Sequence, residues 1–491
     1  MKHYFLFFLA LMLMGNMSAT AQQMILTPGE TAGYSKLTTN KQLVDFLKQC
    51  DLQSDQMSVN YYPLAESRLF PVVTFYGNEP LAGKPTVLLL AQQHGNEPSG
   101  MEGLSLLIRD LAKGLHKDIV ANLNLIILPQ CNPYGNDFNQ RRTAKSIDMN
   151  RDHLLIKAQE TAIIQQIFDD YRPQFTVDFH EYYPFGNGWQ EFGYRRNFDI
   201  QLGGLTNINT DQAIRDIFKS EILPWVENGL IKKGYTFFEY TLGDFPSGER
   251  LRHSTIDVND GRQSFGIAGT LSLIVEGMNG RDSLERLQKR SQSQYETALL
   301  LLKFASDNAD RIQQMSAKAR EKLNNPVDSV SIRQDHFRGD DVLNYPLLSL
   351  KTLRDTIFSV EAYHPEVKSL LRVYPPKGYF VPVADTLLIN WLKCSNFVFS
   401  SEIPEGGEFI AYRMGVINSS LLEGIEGSDP EVFRETVSDI KPGSYFYVPV
   451  TGIYSHKIII ALEPQSMYGI ASYPEFDYLL RQERFPVLRV E

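Results

Sequence analysis

An uninterrupted apolar run at residues 87–91, Val-Leu-Leu-Leu-Ala, stops at a polar tip carrying His94 and Glu97, and Pro98 and Gly100 then lead into a new periodicity. Met101, Leu104, Leu107 and Leu111 recur at helical spacing, so 100–111 reads as an amphipathic helix behind a buried strand. Residues 123–128 form a second continuous apolar run, which Pro129 ends. Strand, helix, strand, with no alternation inside the strands, implies a sheet buried on both faces, parallel or mixed, with helices packed against it. Before this unit the pattern predicts a helix at 41–50 and a strand at 69–75. After it come helical spacing in Ile163, Ile164, Ile167 and Phe168, a strand at 175–179, a helix at 211–233, strands at 235–240 and 271–275, and a helix at 283–309. The stretches 130–153, 182–208 and 241–263 are rich in polar residues, glycine or aromatics and read as long loops, which in compact domains often carry function.

The character changes at 324–334, a polar stretch with Pro326 that marks the best boundary. Beyond it, short strand-like runs at 358–363, 371–374, 379–383, 397–399, 407–413, 444–450 and 457–462 are punctuated by Pro and Gly, and only 384–393 reads as a helix. The expected fold class is α/β: a domain over 22–330 with a mixed, mostly parallel central sheet, followed by a smaller β-rich domain over 340–491.

The chain starts with Lys2, an apolar core at 4–14 and the small residues Ser18-Ala19-Thr20-Ala21, the form of a secretory signal peptide over 1–21. That core is too short for a stable span, and no later run reaches about 18 apolar residues. No Cys sits at the cleavage site to take a lipid anchor. The mature chain is expected to begin near Gln22 as a soluble exported protein, periplasmic or extracellular, with no membrane span after signal removal. A formal net charge of -10 without basic runs argues against a nucleic-acid or anionic-membrane partner. The three cysteines, Cys50, Cys131 and Cys394, are too few and scattered for a disulfide scaffold or a cysteine metal site, although one pair is able to bridge in an oxidising compartment.

Candidate chemistry gathers at strand ends: His94 with Glu97, His180 after 175–179, and Glu276 after 271–275. His-x-x-Glu lets an imidazole and a carboxylate from one turn face one ion, and a distant His on a neighbouring strand completes three ligands. Leaving the fourth position to water makes such a zinc site catalytic rather than structural. The metal lowers the pKa of that water towards 7, and a carboxylate that is not a ligand can then accept its proton; Glu276 is the candidate base. Each residue alone has an ordinary explanation, a packed strand-end His or a solvated carboxylate. Their shared position at the ends of apolar strands favours the metal reading.

His94-Gly95-Asn96-Glu97, Asn132-Pro133-Tyr134-Gly135 and Asp148-Met149-Asn150-Arg151 together resemble the ligand pair, the Asn-Pro-Asp-Gly turn and the Asp-Leu-Asn-Arg motif of the zinc carboxypeptidase family (metallocarboxypeptidases). Less specifically, Pro375-Pro376-Lys377-Gly378-Tyr379 and Leu462-Glu463-Pro464 resemble the tail of exported bacterial members. The resemblance implies an α/β/α sandwich with one zinc ion per chain at the sheet edge, held by His94, Glu97 and His180, and Glu276 as catalytic glutamate. It further implies that Asn150 and Arg151 bind the terminal carboxylate of the substrate, a task suited to a guanidinium fork. Arg141 or Arg142 would polarise the scissile carbonyl, with the spacing to Asn150 favouring Arg141.

The chain departs from the family pattern at Asp152-His153, where Asn-Phe is frequent; Asp152 is expected as an N-cap of the next helix. No motif marks the tyrosine that covers substrate in the digestive-type members, and Tyr240 and a residue within 254–266 are the alternatives. His253 is expected at the surface. The expected activity is removal of residues from peptide C-termini by a secreted zinc peptidase, with the β-rich region shaping or covering the cleft. Alternatives are an amidase acting on N-acylated amino acids or peptidoglycan stem peptides, and a binding module that no longer turns over, against which the intact His94, Glu97, His180 and Glu276 argue.

Overall fold

The computed structural model describes residues 25–76, 81–243, 250–402, 404, 407–438, 440–441 and 443–491. The predicted signal segment and residues 244–249 of the long loop lie outside them.

Eight strands form the central sheet: β1 (Met57–Pro63), β2 (Leu69–Phe75), β3 (Thr86–Ala91), β4 (Asn124–Leu128), β5 (Phe175–Tyr182), β6 (Ile200–Gly203), β7 (Phe237–Glu239) and β8 (Leu271–Met278). Their spatial order is β1-β2-β4-β3-β5-β8-β6-β7. The four central strands, β4, β3, β5 and β8, run parallel, and antiparallel β2 and β6 flank them. The sheet is therefore mixed, and its parallel centre delivers the C-terminal ends of β3, β5 and β8 to one edge, where ligands of open α/β sheets bind. In register, Glu276 of β8 lies directly beside His180 of β5.

Helices α1 (Asn40–Asp51), α2 (Pro98–Ala112), α3 (Gln159–Tyr171), α4 (Gly261–Gly266), α5 (Leu287–Asp307) and α6 (Ala309–Asn324) lie around it. Because both faces are covered, the central strands are buried almost throughout and mostly apolar, with Thr176 and Asp178 of β5 and Ser272 of β8 among the buried polar exceptions. Val87, Leu89 and Ala91 pack with Leu47 of α1, Leu104 of α2 and Leu301 of α5, whereas Leu88 and Leu90 pack with Ile164 and Phe168 of α3. That second core continues into the C-terminal part through Trp391, Ile459 and Leu479. Local chemistry starts α1: the Thr39 hydroxyl accepts the Gln42 N–H, and the Gln42 side chain accepts the Thr39 N–H.

Several expectations fail for identifiable reasons. Residues 457–462 belong to helix α7 (Ser455–Leu462), not to a strand. Ile458, Ile459 and Ile460 are β-branched, but every residue of α7 except His456 is buried, and packing overrides propensity. The loop expected at 241–263 contains α4 and the antiparallel pair Thr241–Leu242 and Arg252–His253. It buries His253 under the C-terminal part: the His253 N–H reaches the His364 carbonyl, and Nδ1 lies 3.3 Å from Glu239. Asp152 does not N-cap α3; Ala158 holds that position, and the Asp152 carboxylate accepts the Lys157 and Ala158 N–H groups at 2.8–3.0 Å. All three cysteines are free thiols.

The C-terminal part contains a five-stranded antiparallel sheet whose longest element is a hairpin, Phe409–Leu422 paired with Ile425–Val437. Glu423 and Gly424 make its two-residue turn with φ of 52° and 77°, the sign that suits the twist of a hairpin. The tip is inserted against the segment 255–256 that follows the antiparallel pair. Glu423 is buried there, accepting the Ile256 N–H at 3.2 Å, His336 Nε2 at 3.0 Å and the Tyr468 hydroxyl. Among the described residues no helix is long and apolar enough to cross a membrane.

Candidate metal centre

After β3 the chain kinks at Gln92, φ 60°, and packs against the turn at Asn132. The Asn132 N–H donates to the Gln92 carbonyl at 3.0 Å, and the Gly95 N–H donates to the Arg141 carbonyl at 3.3 Å. A Cβ on residue 95 would lie 2.0 Å from the Gly135 carbonyl carbon, so only glycine allows this approach. The kink turns His94 to the sheet edge, and Glu97 follows at the start of α2.

His180 Nδ1 lies 3.1 Å from His94 Nδ1 and 3.1 Å from Glu97 Oε2, and His94 Nδ1 lies 3.0 Å from Glu97 Oε1. All three residues are buried. Their other ring nitrogens face carboxylates: His94 Nε2 is 3.0 Å from Asp148 Oδ1, and His180 Nε2 is 2.8 Å from Asp178 Oδ2. An ionised carboxylate only accepts, so Nε2 carries the proton in each ring and Nδ1 presents a lone pair. Two lone pairs and a carboxylate thus converge where they repel one another unless a cation lies between them. A tetrahedron with bonds of about 2.0–2.1 Å has edges of about 3.3–3.4 Å, close to the spacing found, and nitrogen with oxygen donors suits zinc. The residues fit a zinc ion, the single cofactor of this site.

Arg141 belongs to the same cluster. Its NH1 is 3.2 Å from His94 Nδ1 and 3.5 Å from Glu97 Oε1, and its Nε donates to Asp148 Oδ2 at 2.9 Å. Arg142 turns away and donates to the Ser146 carbonyl at 3.0 Å. Although burial works against the charged form, His94 and Arg141 hold the Asp148 carboxyl far below the usual carboxylate range.

Glu276 lies one strand from His180 and is not one of the three clustered donors. Burial, together with the nearby Glu97 charge, pushes its carboxyl up to about 7, with the Tyr240 hydroxyl hydrogen-bonded to it. Such a carboxylate is suited to taking and returning a proton near neutral pH. Asn150 is held by the Gly261 N–H, which donates to its Oδ1 at 2.8 Å, and Arg151 NH1 donates to the Asn150 carbonyl at 2.6 Å. Asp257 lies 4.0 Å from Arg151 Nε.

His94, Glu97, Arg141, Asn150, Arg151, His180 and Glu276 all line one cavity of about 400 Å³, and Arg142 does not. Tyr240 lines it too, as do Thr255 and Asp260 of the stretch 254–266, so both places considered for a substrate-covering residue border the cavity. The residues that sequence reasoning left without a role are Asp148, Asp178 and Gln93. Gln93 Nε2 donates to Asp178 Oδ2 at 2.6 Å, and His153 Nε2 lies 2.8 Å from Gln93 Oε1. Asp178 had a legible signal, since it precedes His180 by two on one strand and so shares its face. Gln93 had none.

Residues 65–190 match the family model described as zinc carboxypeptidase. Among curated proteins, the chain is similar to carboxypeptidase 2 of Trichophyton rubrum, 22% identical over 469 residues, covering 91% of this chain and 85% of the relative. Carboxypeptidase 2 of Trichophyton tonsurans is 20% identical over 485 residues, covering 94% and 88%. Among solved structures, a metallo-carboxypeptidase from Pseudomonas aeruginosa aligns with a TM-score of 0.43 at 13% identity, covering 55% of this chain and 69% of that one.

Proposed function

We propose that the chain is a zinc carboxypeptidase, a reading supported by the match of residues 65–190 to that family's model, and that it is an exported enzyme that hydrolyses the last peptide bond of peptide substrates, with residues 22–330 as the catalytic domain and 340–491 as an accessory region bordering the cleft. The observation that carries this reading is the coexistence, in one cavity, of three converging donors from His94, Glu97 and His180, the Glu276 carboxylate outside that donor set, and the Asn150-Arg151 pair. A zinc ion held by those three residues supplies Lewis acidity, polarising a carbonyl and acidifying water.

The chain's own groups account for the rest. Arg151 and Asn150 receive the substrate's terminal carboxylate, which fixes the last peptide bond over the ligand cluster. Arg141 offers its guanidinium to the oxygen that gains negative charge, a preorganised donor at the point where charge develops. Glu276 takes the proton from the attacking water and returns it to the leaving amine, so its raised affinity for protons serves both halves of the reaction. The buried carboxylates of Asp148 and Asp178 fix the tautomer of each histidine ring.

The test is Glu276→Gln, which keeps shape and removes the base. Zinc content is expected to stay at one per chain while kcat on a C-terminally unblocked peptide falls about 100- to 10,000-fold. Unchanged hydrolysis would remove Glu276 from the mechanism. Cleavage of acyl-amino acids or muropeptides with no cleavage of ordinary peptides would move the assignment to an amidase of the same fold.

A further inference from the structure

Arg262, on α4, is fully buried and does not itself line the cavity; it lies behind Tyr240 and Ile274, which do. NH2 comes no closer than 3.5 Å to the Thr255 carbonyl and 3.8 Å to Asp260 Oδ2, while Nε and NH1 have no hydrogen-bond partner. A buried guanidinium with two idle donors is costly, because its lost hydration is not replaced. Its direction is fixed by Gly203. A Cβ there would lie 2.9 Å from Arg262 NH1, 2.9 Å from Tyr240 Cδ1 and 2.8 Å from Ile274 Cγ2, so the missing side chain leaves NH1 between two residues that line the cavity. Gln201 shares this sheet face, opposite Glu276 in register, and both atoms of its buried amide are also unpartnered. Asp260 offsets part of the positive charge but uses Oδ1 for the Gln263 N–H.

The geometry points to a recognition subsite in which Arg262 binds a carboxylate carried on the side chain of the substrate's C-terminal residue, making the enzyme selective for terminal glutamate or aspartate. This rests on the carboxypeptidase reading above. Arg151 and Asn150 take the main-chain carboxylate at the cavity wall, and the side chain of the same residue extends to the floor made by Tyr240, Ile274, Thr255 and Asp260. Arg262 and the Gln201 amide then gain the acceptors they lack. An uncharged isostere leaves those donors unpaired, which is how a buried polar site rejects the wrong substrate.

The experiment uses the zinc-loaded full mature chain and peptides that differ only in the last residue: Glu, Asp, Gln, Leu or Lys. Terminal Glu or Asp is expected to exceed Gln and Leu in kcat/KM by about 100-fold or more. Arg262→Met is expected to bring Glu and Gln to within about threefold while leaving Leu cleaved, and to fold because it removes a buried guanidinium whose Nε and NH1 donors are unsatisfied. Calorimetric binding of free L-glutamate and L-glutamine separates the two claims. If no peptide is cleaved but glutamate binds more tightly and Arg262→Met abolishes that preference, the subsite stands and the proposed reaction falls. Equal cleavage of Glu and Gln peptides by the wild-type enzyme, or a Glu preference untouched in Arg262→Met, overturns the subsite and leaves the carboxypeptidase reading in place.

Discussion

Asp178 Oδ2 lies 2.8 Å from His180 Nε2, two residues along the same strand, and thereby sets which nitrogen of that ring faces Glu97 and His94. The pair is built into one pleat face of β5, so no loop motion is needed to form it. Gln93 donates to the same oxygen and is in turn engaged by His153, which ties the ligand ring to the residue pair that departs from the family pattern.

Asp178→Asn therefore tests the role of the ring's partner rather than of the ligand. The amide is able to offer Nδ2 where the carboxylate accepted, and the ring loses its fixed tautomer. Zinc affinity, read by competition with a chromogenic chelator, is expected to fall about 10- to 100-fold. An unchanged affinity would show that strand geometry alone holds His180.

The two adjacent arginines make a clean comparison. Arg141→Met is expected to lower kcat about 100- to 1,000-fold, the usual loss of one oxyanion donor. Arg142→Met should leave kcat and KM near wild type, since Arg142 donates to the Ser146 carbonyl outside the cavity. Steady-state kinetics on one peptide settle both, and equal losses from the two variants would contradict the assignment to Arg141.

Glu102 supplies the pH test of stability. Burial pushes its carboxyl up to about 7; its Oε1 accepts the Thr38 hydroxyl and its Oε2 has no partner. The folded pKa is above the unfolded value of about 4.3, so the folded protein binds more protons between those two values. Stability contributed by this group is complete below about 4.3 and is lost as pH rises through about 7. Glu102→Gln is expected to be more stable than wild type by about 2 kcal/mol at pH 8, and the difference should vanish by pH 4. Urea unfolding at the two pH values measures it; a difference that does not change with pH would refute the titration.

Glu423, at the hairpin tip, joins the C-terminal part to the loop that lines the cavity. Glu423→Ala strips acceptors from the Ile256 N–H, the Thr255 hydroxyl and His336. A loss of about 3 kcal/mol in urea unfolding is expected from breaking a buried charged network. KM should rise more than kcat falls, because Thr255 and Asp260 border the substrate side of the cavity. Wild-type stability and KM would mean that the tip is only docked.

The sequence by itself determined the parallel centre of the sheet, because strands buried on both faces read as near-continuous apolar runs and helices must cover them. The same runs ended near His94, His180 and Glu276, so the sheet edge at which these side chains gather was readable from the pattern alone. Residues whose role depends on chain-distant neighbours were not readable. The isoleucines of α7 look like a strand until the core that surrounds them is known. His253 looks like a surface residue until the C-terminal part covers it. Arg141 and Arg142 differ only in which way a loop turns, and local composition does not encode that turn. Arg262 sits in a stretch that reads as polar loop; its meaning comes from Gly203, 59 positions earlier, whose missing side chain leaves room for it behind the cavity floor. Periodicity reports whether a position faces a core, while the partners found there depend on packing between segments far apart in the chain, which only the tertiary structure decides.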